Sequence, residues 1–161
     1  IYTLVYTLSL HDALPISGYE LALACDIRLA AEEAKIGSPE AQVTSSVTGG
    51  AMRLIQELVG PGKARELLFT AEYIDGREAE RIGLVNKAVP QEELMGQARQ
   101  MADTIAQNSG FSLQMIKKGL NMARGEISLE ALMDFEIEAC LACVSTKERQ
   151  ASLQDFEDRK R

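Results

Sequence analysis

Gly18-Tyr19-Glu20-Leu21-Ala22-Leu23-Ala24-Cys25-Asp26-Ile27-Arg28-Leu29-Ala30-Ala31 is the stretch on which the fold of this chain turns. After Glu20 the first part is almost wholly apolar, and Gly18 to Cys25 reads as a short buried helix. Asp26 to Ala31 then reads as a strand, with Ile27, Leu29 and Ala31 on one side. A few residues later comes Ile36-Gly37-Ser38-Pro39-Glu40, a second brief extended piece that ends in a stiff turn. Helix, strand and extended piece in quick succession predict an α/β architecture. Two acids stand out. Glu20 lies where the helix is expected to begin, where an acid complements the helix dipole by about 0.3–1 kcal/mol. Glu40 follows a proline that locks its own φ near about −65° and restricts Ser38. On position alone both are ordinary surface acids. An apolar helix beside one and a rigid turn beneath the other are the settings that general acid–base chemistry requires.

Outward from this stretch the pattern is orderly. Gly49-Gly50 open a helix with Ala51, Leu54, Ile55, Leu58 and Val59 on one stripe. Gly60-Pro61-Gly62 ends it and starts another, with Ala64, Leu67 and Leu68 inward. Gly60-Pro61-Gly62-Lys63 lacks the spacing of a phosphate loop and reads as a helix–helix turn. Asp75 and Glu78 form a predicted capping box, Glu78 reaching back, for a short helix that stops at Gly83. Leu84 to Val89 reads as a strand. Pro90, Glu92 and Glu93 mark a helix start whose inward face is Leu94, Met95, Ala98, Met101, Ala102 and Ile105. Two or three more helices are expected: about 111–124, about 128–144 from an N-cap Ser128, and about 146–158.

Composition narrows the function classes. Of 161 residues, 46% are apolar, enough for a core. Lys and Arg total 17 against 24 Asp and Glu, a net charge of −7. That balance argues against nucleic acid and against anionic membranes as partners. No apolar run has the length of a membrane span. Cys25, Cys140 and Cys143 read as small buried hydrophobes in a reducing, cytoplasmic compartment. With His11 the only histidine, no zinc set is complete, and no metal is expected. Residues 1–17 fit poorly with the orderly pattern from Gly18 onward. Tyr6 to Ser17 resembles a peptide translated from sequencing-adaptor DNA, so 1–17 is read as non-native and the native chain is expected to enter at Gly18.

From Gly18 to Arg161, the frame of Gly18, Glu20 and Pro39-Glu40, combined with Ile82-Gly83-Leu84-Val85-Asn86, resembles the enoyl-CoA hydratase/isomerase (crotonase) family. The resemblance implies the C-terminal part of a crotonase-like ββα spiral over 18–90, followed by a helical trimerisation region over 91–161. It implies an enoyl-CoA hydratase, a lyase that adds water syn to a 2-enoyl-CoA thioester through an enolate-like state. Glu20 would activate the water that attacks Cβ, and Glu40 would share that water and handle the proton at Cα. The thioester oxygen needs preformed donors. The resemblance assigns one to a backbone N–H in a Gly-Gly-Gly turn, of which only Gly18 remains, Ser17 standing at the middle position and Ile16 at the first. Ser17 can still offer its N–H, although a side chain there narrows the approach. The second donor and much of the adenine and pantetheine pocket belong upstream of this stretch, so the chain is expected to be a fragment with incomplete chemistry.

The same comparison assigns substrate contacts to Pro39, Val43, Thr48 and Gly49. The loop Ala41 to Thr48 is polar and about one residue short, where many relatives carry a Leu-Gly…Pro-Gly loop, so its hydroxyls suit a more polar acyl group. Phe156 and Arg159 resemble the family's aromatic-plus-basic tail, which approaches the CoA phosphates. No separate cofactor is implied, because coenzyme A is part of the substrate. The implied assembly is a homotrimer or a hexamer formed as a dimer of trimers. Two alternatives stay open: another acyl-CoA enzyme of the family (isomerase, hydrolase or ring-forming synthase), or a non-catalytic assembly subunit.

Overall fold

A computed structural model of the chain describes residues 5–8, 15–146 and 149. Contacts divide it into two compact units, one running up to Asp103 and the other from Thr104. The first contains a three-stranded parallel sheet in the order β1 (Val5–Leu8), β2 (Ile27–Ala31) and β3 (Lys87–Val89). Val5 stands opposite Ile27, and Leu29 opposite Lys87. As the central strand, β2 is buried on both faces rather than the one that alternation suggests. Leu29 and Ala31 join Val89, Leu94 and Ala98 on one side. Ala30 joins Tyr19, Leu23, Ile55 and Leu84 on the other. Two-sided burial is the normal lot of a parallel strand.

The helix α1 runs from Pro15 to Leu23, beginning before the expected Gly18. Proline suits the first helical position, since its fixed φ is preorganised and its missing N–H has no partner to lose. Glu20 therefore lies within the helix rather than at its start. The pair Ile36 and Ile74 forms an isolated antiparallel bridge, which gives the second extended piece its partner. α2 (Ala51–Thr70) follows, broken at Gly60, where φ is 78° and ψ 161°. The expected helix–helix turn is thus present, with Pro61 opening the second run.

The short helix α3 (Gly76–Arg81) is capped by Asp75, whose side chain accepts from the Glu78 N–H at 2.7 Å. Only half of the capping box forms. The Glu78 carboxylate turns to Arg81 instead, with bonds of 2.5 and 2.6 Å, because a guanidinium one turn away outcompetes a backbone amide. β3 is shorter than the expected strand. Leu84 and Val85 are buried in the preceding turn, and both of their amides donate to the carbonyl of Ala79. That turn is fixed to β2 by Arg28, which is 6% exposed. Its Nε donates to the Leu84 carbonyl at 2.8 Å, its guanidinium also reaches the Cys25 carbonyl, and its N–H donates to Asn86 Oδ1 at 2.8 Å.

α4 (Leu94–Ala106) buries Leu94 and Ala98, with Met101 packed beside them. Met95 and Ala102 are exposed, contrary to the expected inward face, because the helix meets the sheet along a narrower stripe. In the second unit, α5 (Gly110–Ala123) and α6 (Leu129–Val144) are capped by Ser109 and Ser128. Neither helix has a buried residue. Cys140 is exposed and Cys143 partly so, which corrects the reading of all three cysteines as buried. The helix expected at about 146–158 lies almost wholly outside the described residues.

Candidate functional site

Two carboxylates occupy contrasting settings in the first unit. Glu40 opens a 3₁₀ turn, Glu40–Val43, after Pro39 at φ −82° and ψ 8°. Its side chain is directed inward, and the residue is only 2% exposed. One carboxylate oxygen, Oε2, accepts from the Ser38 hydroxyl. The other, Oε1, is buried with no hydrogen-bond partner among the described residues. An orphaned oxygen of this kind costs about 1–3 kcal/mol unless something donates to it.

Tyr19 feels the same carboxylate. Burial pushes its phenol well above the ordinary value, and the charge of Glu40 adds to the effect. Tyr19 is 4% exposed and belongs to the core that anchors α1. The chain neighbour of Glu20 therefore lies within the electrostatic reach of Glu40.

Glu20 is half-buried and held by a residue far along the chain. Its Oε1 accepts the Thr48 N–H. The Thr48 hydroxyl lies 2.9 Å from Oε1 and 3.0 Å from Oε2. Gly49 comes next with φ 60°, and a Cβ at that position would stand 3.8 Å from Oε2 of Glu20. Both Gly49 and Gly50 have positive φ, a conformation that costs glycine little. The turn they make lets the Ala51 N–H reach the Thr48 carbonyl at 2.9 Å and start α2.

Of the expected site residues, the structure brings Glu20, Thr48 and Gly49 together and places Pro39 beneath Glu40. Val43 closes the 3₁₀ turn but is 64% exposed. Ser17 and Gly18 are backbone positions in the first turn of α1. By helix geometry the Ser17 N–H lies among the leading amides without an intrahelical acceptor, whereas bonding along the helix begins at Gly18. Phe156 and Arg159 lie outside the described residues. Sequence reasoning did not single out Ser38 or Tyr19, nor Thr48 as the partner of Glu20. A hydroxyl two positions before Glu40 was the one available signal.

The loop that runs from Glu40 to Thr48, the partner of Glu20, is tied at several points. The Ser45 N–H donates to the Glu40 carbonyl at 2.9 Å, and Gln42 Nε2 donates to the Ala71 carbonyl at 2.9 Å. Elsewhere, α5 and α6 enclose an apolar groove of about 440 Å³ lined by residues that include Met115, Leu132, Phe135 and Ala139. Neither Glu20 nor Glu40 lines it. Among the described residues no cluster of His, Cys, Asp and Glu is suited to a metal, and no helix is long and apolar enough to cross a membrane.

A family model described as enoyl-CoA hydratase/isomerase matches residues 13–161. A short-chain-enoyl-CoA hydratase of Clostridium acetobutylicum is 35% identical over 144 residues, which is 89% of this chain and 55% of the relative. A protein of the same name from Clostridioides difficile is 38% identical, and the match covers 88% of this chain and 90% of that one. Among solved structures, an enoyl-CoA hydratase from Bacillus anthracis superposes with a TM-score of 0.83 at 32% identity. That match covers 88% of this chain and 55% of the other. The chain thus spans about half the length of the Clostridium acetobutylicum relative and of the Bacillus anthracis structure. These structural neighbours have the crotonase fold.

Proposed function

Because the chain belongs to the enoyl-CoA hydratase/isomerase family, we propose that it serves syn hydration of short-chain 2-enoyl-CoA thioesters. The observation that carries this reading is the unequal setting of the two carboxylates. Glu40 presents a buried oxygen that lacks a donor, and Glu20 is half-buried with its carboxylate held in place by Thr48. In the proposed complex a water held by Glu20, a base already fixed in place, is the donor assigned to the orphaned oxygen.

In the proposed reaction the water oxygen bonds Cβ as Glu20 accepts a proton from it. The electron pair of the C=C bond moves into the thioester, whose oxygen becomes enolate-like. The first-turn N–H of Ser17 is the main-chain donor this chain contributes to that oxygen, since the N–H of Gly18 is engaged along the helix, and losing one such donor typically costs about 10²–10³ in rate. Glu40 enters the cycle carrying one proton and delivers it to Cα on the same face, and the proton taken up by Glu20 returns to Glu40 through water before the next turnover. The water thus supplies the new hydroxyl and, by way of the carboxylates, the new Cα proton. Pro39 and Gly49 support this arrangement by fixing the turns that carry the acids, and Val43 with Thr48 borders the acyl group. Phe156 and Arg159 are assigned to the CoA moiety. No separate cofactor enters, since coenzyme A arrives with the substrate.

Short acyl chains are favoured because relatives at 34–38% identity carry the names short-chain-enoyl-CoA and crotonyl-CoA hydratase. Three cysteines that form no disulfide among the described residues, Cys25, Cys140 and Cys143, support a reducing, cytoplasmic setting. The apolar residues exposed along α5 and α6 support a trimer or a dimer of trimers.

Hydration of crotonyl-CoA, followed by loss of the enoyl absorbance, tests the reading. Glu20→Gln and Glu40→Gln are each expected to lower kcat by at least about 10²-fold. Unchanged turnover in both variants would refute the assigned roles. Absence of turnover by a version extended to the full length of the relatives, which carries the upstream donor and CoA pocket, would favour the assembly-subunit reading.

A further inference from the structure

We infer that Thr48 is a positioning residue for Glu20, setting which carboxylate oxygen faces the reacting water. This rests on the catalytic reading of Glu20 and goes beyond it. A carboxylate offers about four acceptor sites, two on each oxygen. On Oε1 the Thr48 N–H and hydroxyl are both in place to occupy them. The hydroxyl carries one proton, and its nearly equal distances of 2.9 and 3.0 Å mean that Oε2 is engaged only part of the time. Oε2 is left as the oxygen with accepting capacity to spare.

The clamp is well anchored at both ends. Thr48 is fixed by the Gly49-Gly50 turn and by the bond from the Ala51 N–H. Ala51 and Ile55 of α2 share the core with Tyr19 and Leu23 of α1, which flank Glu20. The donor and the carboxylate are therefore referenced to the same packed pair of helices, although 28 positions separate them in sequence. A valine at 48 keeps the N–H and the side-chain volume but removes the hydroxyl. Glu20 is then held through the N–H alone, its terminal torsion is less restricted, and Oε2 is less firmly turned toward the water.

The test uses the chain itself. Thr48→Val is expected to lower kcat for crotonyl-CoA about 10- to 100-fold with KM within about twofold. Thr48→Ser should recover most of the loss. If Glu20→Gln abolishes turnover while Thr48→Val leaves kcat unchanged, the positioning role is overturned and the catalytic reading survives. If Glu20→Gln is itself harmless, the catalytic reading fails first. A measurement independent of activity is amide hydrogen exchange at Thr48. Its N–H should exchange at least about 10-fold more slowly than an unbonded loop amide, and Glu20→Ala should remove that protection. An amide unprotected in the wild-type chain, or equally protected in Glu20→Ala, would overturn the clamp whether or not the chain turns over substrate.

Discussion

Tyr19 shows how much of this site is set by single side chains. Its phenol is buried in the core and faces the charge of Glu40, so it holds its proton far above the ordinary phenol range. In the unfolded chain the same group ionises near about pH 10. Below that value both states are protonated, and Tyr19 adds no pH dependence. Above it the unfolded chain loses a proton that the folded chain keeps, so stability falls as pH rises. Tyr19→Phe should remove this contribution. Between pH 10 and 11 the wild-type protein should lose about 1 kcal/mol more unfolding free energy than the variant, as read by urea titration at each pH. Equal losses would show that the phenol titrates normally. Tyr19 could not be singled out from the sequence, since its role depends on Glu40, which arrives from another segment. The two acids themselves were legible, because Gly18-Tyr19-Glu20 and Pro39-Glu40 are local motifs. Their hydroxyl partners were not.

At the scale of elements, α3 and β2 meet more closely than side chains allow. A Cβ on Gly76 would stand 2.0 Å from the Ala31 carbonyl oxygen and 2.9 Å from its carbon. Both are backbone atoms and cannot turn aside. The approach is held by the Gly76 N–H, which donates to the Glu32 carbonyl at 2.9 Å. Gly76→Ala should therefore cost about 3 kcal/mol or more, at the upper end of overpacking effects. Gly62→Ala, where nothing lies within 4 Å of the added carbon, should be neutral or stabilise by up to about 1 kcal/mol. Thermal unfolding of the two variants checks the contrast. The sequence predicted α3, its Asp75 cap and the break at Gly60, all of which are local backbone chemistry. It missed the early start of α1 at Pro15, three residues before the expected Gly18, where proline suits the first helical position. It also overstated the buried face of α4, because periodicity gives a direction but not the width of the contact.

For the whole molecule, the second unit is the unsettled part of the chemistry of burial. Ile116, Leu120, Leu129, Met133, Ile137 and Leu141 are all more than half exposed. So much apolar surface on two adjacent helices is characteristic of an interaction site. If the proposed trimer or hexamer forms, light scattering should return a multiple of the 17.6 kDa chain mass. Placing an aspartate at Ile137 or Leu141 should then shift that mass toward the monomer, since an unpaired charge in an apolar interface is strongly unfavourable. A wild-type chain that runs as a monomer would refute the assembly.

By itself the sequence determined the class of fold, the caps and breaks of its helices, and the two carboxylates worth attention. Each of these depends on neighbours a few positions away, through backbone geometry, helix dipoles and periodic burial. Only the tertiary structure decided that β2 is covered on both faces, that Arg28 ties the Leu84–Asn86 turn to that strand, and that Glu40 keeps one buried oxygen without a donor among the described residues. It alone paired Glu20 with Thr48, 28 residues further on. Such pairings arise from how packed elements are brought into contact, and a linear pattern carries no record of them until the core that imposes them has formed.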